Sequence, residues 1–182
     1  MALHPEFPSS PHVELDPSIR WFPADEALRE TSADRLMPPL VAELRKRVKE
    51  WRDSDYVGAS ATSYALIKWW FETTHIKKNP DGTEGTFKYY FAQREAVETI
   101  IYLHDVIGVK DKYDLMRFDS SGHVRANMFD ENWVRYVVKM ATGSGKTMLM
   151  GASIYFLNQK FNIKNFLIIT PASTDIYQKT IR

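Results

Sequence analysis

Residues 140–147, MATGSGKT, constrain the chain more than any other stretch. They follow Val134-Arg135-Tyr136-Val137-Val138-Lys139, whose β-branched and aromatic residues suit a strand. They precede a helix expected over residues 146–159. A glycine-rich turn from strand to helix lets consecutive main-chain N–H groups point inward, at the positive end of the helix dipole. Gly143 and Gly145 give the close approach and the unusual dihedrals that such a turn needs. The result is a nest for polyphosphate, lined by Thr142, Gly143, Ser144, Gly145, Lys146, Thr147 and Met148. Lys146 is the candidate for the β- and γ-phosphates of ATP, and the Thr147 hydroxyl for Mg²⁺, so these two carry the chemistry. The general pattern G-x-x-x-x-G-K-[ST] begins with glycine, where this chain has Met140. An accidental glycine turn before a lysine-led helix is the competing reading, and the agreement of motif with context argues against it.

Residues 165–170, NFLIIT, form a short apolar run suited to a strand buried on both faces, and Pro171 ends it. Strand, helix and strand at this spacing predict a βαβ unit of a parallel sheet, hence an α/β fold.

Upstream the periodicity is helical. Residues 1 to about 33 are rich in proline and read as an extended arm, packing through Trp21 and Phe22 or staying mobile. A first helix is expected over residues 39–51, with Pro38 and Pro39 at its start and Leu40, Leu44, Val48 and Trp51 on one stripe. Its basic cluster, Arg45, Lys46, Arg47 and Lys49, is either a solvated face or a contact for phosphates. A second helix over residues 60–72 carries Tyr64, Ile67, Trp70 and Phe71 on its apolar stripe, with Trp69 and Trp70 read as core or interface. Residues 77–85 form a turn-rich loop, and the division between an N-terminal region (1–85) and a second domain (86–182) falls there. A third helix is expected over residues 91–106, its stripe made by Phe91, Val97, Ile100, Ile101 and Leu103. Residues 107–131 are polar and broken, with room for a hairpin.

Composition narrows the classes. With no cysteine, a disulfide-stapled fold, a thiolate metal site and a cysteine nucleophile are all excluded. The formal net charge of +1 leaves any nucleic-acid surface to a local patch. The five histidines are scattered without ligand spacing. The N-terminus has neither the basic region nor the apolar core of a signal peptide, and no run is long enough to span a bilayer. A cytoplasmic protein without a membrane segment is the expectation.

The loop with methionine first resembles motif I of superfamily 2 helicases and translocases, most closely the type III restriction enzyme Res subunits and type I motor subunits. Phe91-Ala92-Gln93-Arg94-Glu95-Ala96-Val97 resembles the upstream glutamine motif of these motors. The resemblance implies that Gln93 reads the adenine edge, as a side-chain amide that donates and accepts together, with Tyr90 or Phe91 beside the base. A solvent-facing glutamine is the alternative. Leu167-Ile168-Ile169-Thr170-Pro171-Ala172 resembles motif Ia, which implies nucleic-acid backbone contacts from Thr170, Pro171 and Ser173. A simple strand-ending turn explains the same residues.

The resemblance covers about residues 87–182, makes 107–131 an insertion, and implies an incomplete RecA-like P-loop domain preceded by an α-helical region. ATP and Mg²⁺ are the implied cofactors, with DNA, a second motor lobe and a partner subunit as implied partners. These motors use a later Asp-Glu pair to hold Mg²⁺ and activate water. Asp25-Glu26 and Asp130-Glu131 precede the loop and read as turn or helix-start acids, so an N-terminal portion that binds ATP without turning it over is expected. A P-loop kinase or GTPase, and a non-catalytic interaction module with a vestigial loop, are the alternatives.

Overall fold

The computed structural model describes residues 9–17, 40–119 and 121–169. Helix α1 (Val41–Asp53) buries Val48, Trp51 and Arg52. Its basic residues are spoken for: Arg47 reaches Glu43 at 2.7 Å, Lys49 reaches Asp53 at 2.6 Å, Lys46 lies 4.0 Å from Glu50, and Arg45 crosses to Glu95 at 3.2 Å. Charge already paired within the fold is a poor phosphate surface, so the solvated face is what the structure supports.

The turn after α1 carries a feature that periodicity does not announce. Asp55 and Tyr56 both adopt left-handed backbone, with φ of 56° and 60°, which costs an L-residue roughly 1–2 kcal/mol each. Burial of Tyr56 offsets that cost. Its ring meets Trp51 edge-on at 4.9 Å, its N–H donates to the Trp51 carbonyl at 2.9 Å, and its hydroxyl donates to Glu98 at 2.6 Å.

Helix α2 (Ala61–Glu72) starts at Ser60, whose hydroxyl accepts from the Ser63 N–H at 3.3 Å as an N-cap should. Ile67 and Trp70 are buried as expected. Trp69 is 55% exposed, not core. At 100° per residue it falls on the far side of the helix from Ile67 and Trp70, and among the described residues its ring meets His75, edge-on at 5.0 Å. Tyr64 is likewise exposed and bonds Asp55 through its hydroxyl.

The loop expected over 77–85 is shorter than it reads. Strands β1 (His75–Lys78) and β2 (Glu84–Phe87) pair antiparallel, His75 opposite Phe87 and Lys78 opposite Glu84. Asp81 closes the turn by accepting from the Thr83 N–H at 3.0 Å.

Helix α3 (Phe91–Ile101) runs on into a π-helical turn, Tyr102–Val106, closed by the Ile107 N–H on the Tyr102 carbonyl at 2.9 Å. The helix predicted over 91–106 is therefore continuous but changes pitch. Within 107–131 the chain makes a short helix, α4 (Lys112–Met116), capped by Asp111, and a 3₁₀ turn, Ala126–Met128. In place of a hairpin, the described residues there give one isolated antiparallel bridge, Asp111 to Trp133.

Helix α5 (Lys146–Phe161) ends at Asn162 in left-handed backbone, φ 55°, with its N–H on the Asn158 carbonyl at 2.9 Å. Leu149, Ala152 and Phe156 are buried on it, and it packs against α2 and α3. One hydrophobic cluster thus joins α1 and α2 to α3 and α5, on both sides of residue 85. At its centre Glu98, 0% exposed, accepts from Arg52 (2.5 and 2.9 Å), Arg94 (2.7 Å) and Tyr56. Burial works against the charge of Arg52, but Glu98 and Glu14 overcome it and hold its pKa above the usual value.

Among the described residues the two predicted parallel strands do not pair. Residues 134–140 and 165–169 carry no ladder, and among the described residues the sheet is the β1–β2 hairpin alone. Val137 is 93% exposed and Leu167 87%. A strand's hydrogen bonds lie on neighbours distant in sequence, so an apolar run cannot satisfy itself as a helix does. The architecture is a helical body with a small two-stranded sheet. No helix among the described residues is long and apolar enough to cross a membrane.

Candidate nucleotide site

The glycine loop has the backbone that its sequence requires. Gly143 and Gly145 stand at φ 78° and 82°, both left-handed. The Ala141 carbonyl gathers the loop, accepting from the Ser144 N–H at 3.3 Å, the Ser144 hydroxyl at 2.6 Å and Lys146 Nζ at 2.8 Å. No side chain caps α5, and the N–H groups of Lys146 and Thr147 open its first turn without an intrahelical acceptor. The Met148 N–H is already given to the Gly145 carbonyl at 3.0 Å, so Met148 offers no free amide.

Lys146 and Thr147 are exposed. The ammonium folds back on a carbonyl of its own loop, which leaves two of its three donors for an anion. The Thr147 hydroxyl has no partner among the described residues. Free amides, an ammonium in the loop's own concavity and an unengaged hydroxyl fit a polyphosphate with its divalent cation. No group of three His, Asp or Glu among the described residues could hold a metal on its own.

Gln93 does not face solvent. It is 4% exposed and bridges two elements: Nε2 donates to the Ser144 carbonyl at 3.0 Å, and Oε1 accepts from the Tyr90 N–H at 2.8 Å. Gly145 sits directly beneath it, and any Cβ there would collide with Gln93 Nε2. The two aromatics of the glutamine motif part company. Phe91 is buried with the Arg52 guanidinium 5.1 Å above its ring, while Tyr90 is exposed.

The proline-rich arm reaches this site, which periodicity alone did not reveal. The Pro11 carbonyl accepts from the Phe91 N–H at 2.8 Å, His12 Nδ1 lies 2.9 Å from the Tyr89 carbonyl, and Glu14 meets Arg52 at 2.7 Å. The only hint in the sequence was a pair of polar residues, His12 and Glu14, inside a proline-rich run. Trp21 and Phe22, the anchors expected from sequence, lie outside the described residues, as do Thr170, Pro171 and Ser173.

Residues 134–140 touch the body where Tyr136 meets His104, edge-on at 5.5 Å, and Phe161 also meets His104, at 6.2 Å. Burial lowers the His104 pKa and pushes the Tyr136 hydroxyl up to about 12.

A left-handed glycine pair thus stands ahead of an uncapped helix that opens with lysine and threonine. Residues 86–182, just over half of the chain, match the family described as type III restriction enzyme, res subunit. The chain belongs to this helicase-like family. No curated protein and no solved structure matches it.

Proposed function

We propose that this chain is the ATP–Mg²⁺-binding front of a DNA helicase or translocase motor, with its matched region part of a RecA-like domain beginning near residue 86. The observation that carries the reading is the loop: two left-handed glycines, free amides at Lys146 and Thr147, and Gln93 tied to the Ser144 carbonyl. That tie joins the glutamine motif to the phosphate loop, as an ATP-driven motor of this family requires and as a bare phosphate loop of a kinase or GTPase does not.

Each residue has a role in this reading. The Lys146 and Thr147 amides hold the β-phosphate, and Lys146 Nζ turns from the Ala141 carbonyl onto the β- and γ-phosphates. Thr147 ligates Mg²⁺, which supplies charge neutralisation across the phosphate oxygens. Tyr90, not the buried Phe91, faces the base. Gln93 turns to the adenine edge only by releasing the Tyr90 N–H or the Ser144 carbonyl. Thr170, Pro171 and Ser173 contact the DNA backbone. A cytoplasmic site of action and a partner subunit accompany the assignment.

Calorimetric titration of ATP–Mg²⁺ checks the proposal. Lys146→Ala removes a charge-assisted contact and should weaken binding about 10- to 100-fold. Equal affinity in both proteins overturns the loop assignment.

A further inference from the structure

We propose that His12, carried by the proline-rich arm, is a specificity residue of the nucleotide site whose Nε2 selects adenine over guanine. The inference rests on the reading of residues 143–147 as the phosphate nest.

The tautomer follows from the partner. His12 Nδ1 lies 2.9 Å from the Tyr89 carbonyl oxygen, and a carbonyl only accepts, so Nδ1 carries the proton. In the neutral ring Nε2 is then a lone-pair acceptor, and among the described residues nothing occupies it. The ring is held from both sides. The Pro11 carbonyl is fixed by the Phe91 N–H at 2.8 Å, and Glu14 is fixed by buried Arg52 at 2.7 Å. A main-chain contact, an ion pair and the His12–Tyr89 bond together place one imidazole.

They place it beside the expected base position. The His12 ring centroid lies 5.2 Å from that of exposed Tyr90, with the planes inclined at 52°. The Tyr90 N–H bonds Gln93, and Gln93 bonds Ser144 in the loop. His12, Tyr90, Gln93 and Ser144 therefore form one contiguous line from arm to phosphate nest. Both ends of the Gln93 amide are engaged along that line, whereas His12 Nε2 is an acceptor on it with no partner among the described residues. The exocyclic amine of adenine donates to such a lone pair. Guanine presents a carbonyl oxygen at the same position, and two acceptors repel.

Competition titrations with ATP, GTP and inorganic tripolyphosphate, each with Mg²⁺, test this on the 182-residue chain. His12→Phe keeps a ring against Tyr90 and removes the lone pair; His12→Ala removes both. The wild type should favour ATP over GTP by about tenfold, the worth of one hydrogen bond against a mismatched one. His12→Phe should bind the two alike, with tripolyphosphate affinity unchanged. Retention of the wild-type preference in both variants overturns the role of His12, as does an equal loss of tripolyphosphate binding, which would mark a loop defect. Failure of the wild type to bind tripolyphosphate overturns the phosphate nest itself.

Discussion

The helical body and the two segments flanking α5 are built from similarly apolar sequence, yet they bury it to different extents. In the body, Val48, Ile67, Val97 and Phe156 share one buried cluster around a charged centre. In the flanks, Val137 and Leu167 stand open to solvent. The difference lies in where hydrogen bonds are found. A helix satisfies its backbone within four residues and needs packing on one face only. A parallel strand needs partners far along the chain, on both edges, before its side chains gain anything from burial.

The charged centre offers the largest test of that contrast. Glu98→Ala leaves Arg52 and Arg94 without their carboxylate inside the core, and should destabilise the body by about 3–5 kcal/mol. Urea denaturation followed by tryptophan fluorescence reads the loss, since Trp51 and Trp70 report the core. An unchanged midpoint would mean that the network is not what holds α1 to α3.

The joint between the regions should respond to acid. Burial against Tyr136 and Phe161 depresses the His104 pKa below its ordinary 6.5. The unfolded chain then binds the proton more readily than the folded one, so this contribution is complete above pH 6.5 and is lost as pH falls through the folded value. The urea midpoint should therefore drop between about pH 7.5 and about pH 5.5, and His104→Phe should flatten that drop. A variant as pH-sensitive as the wild type would place the proton elsewhere.

The smallest effect is expected in the flank. Val137→Asp, at a position 93% exposed, should change stability by no more than about 0.5 kcal/mol. A loss several times larger would show that residues 134–140 are buried against a strand after all, and the contrast between the regions would fail.

Legibility followed the same physics. The helices were readable because their apolar stripes repeat locally: α1 begins two residues after its expected start, and α5 runs two beyond its expected end. The exceptions within them are Tyr64 and Trp69, both exposed: the pair Trp69 and Trp70 reads as core or interface, and helix geometry separates its members. The glycine loop was readable because Gly143 and Gly145 state their own dihedrals. The strands expected over 134–140 and 165–170 form no ladder among the described residues, because composition expresses a preference for extended backbone and says nothing of what pairs with it.

The sequence by itself determined the helices, the left-handed glycines and the lysine–threonine start of α5, because each is fixed by neighbours within a few residues. Only the tertiary structure decided that Gln93 is buried against Ser144, that Glu98 gathers two arginines and a tyrosine, that Tyr56 accepts a left-handed backbone, and that the arm sets His12 beside Tyr90. Each of these joins residues well separated in the chain or depends on burial that such contacts create. No periodicity records which distant surface will come to rest against a given side chain.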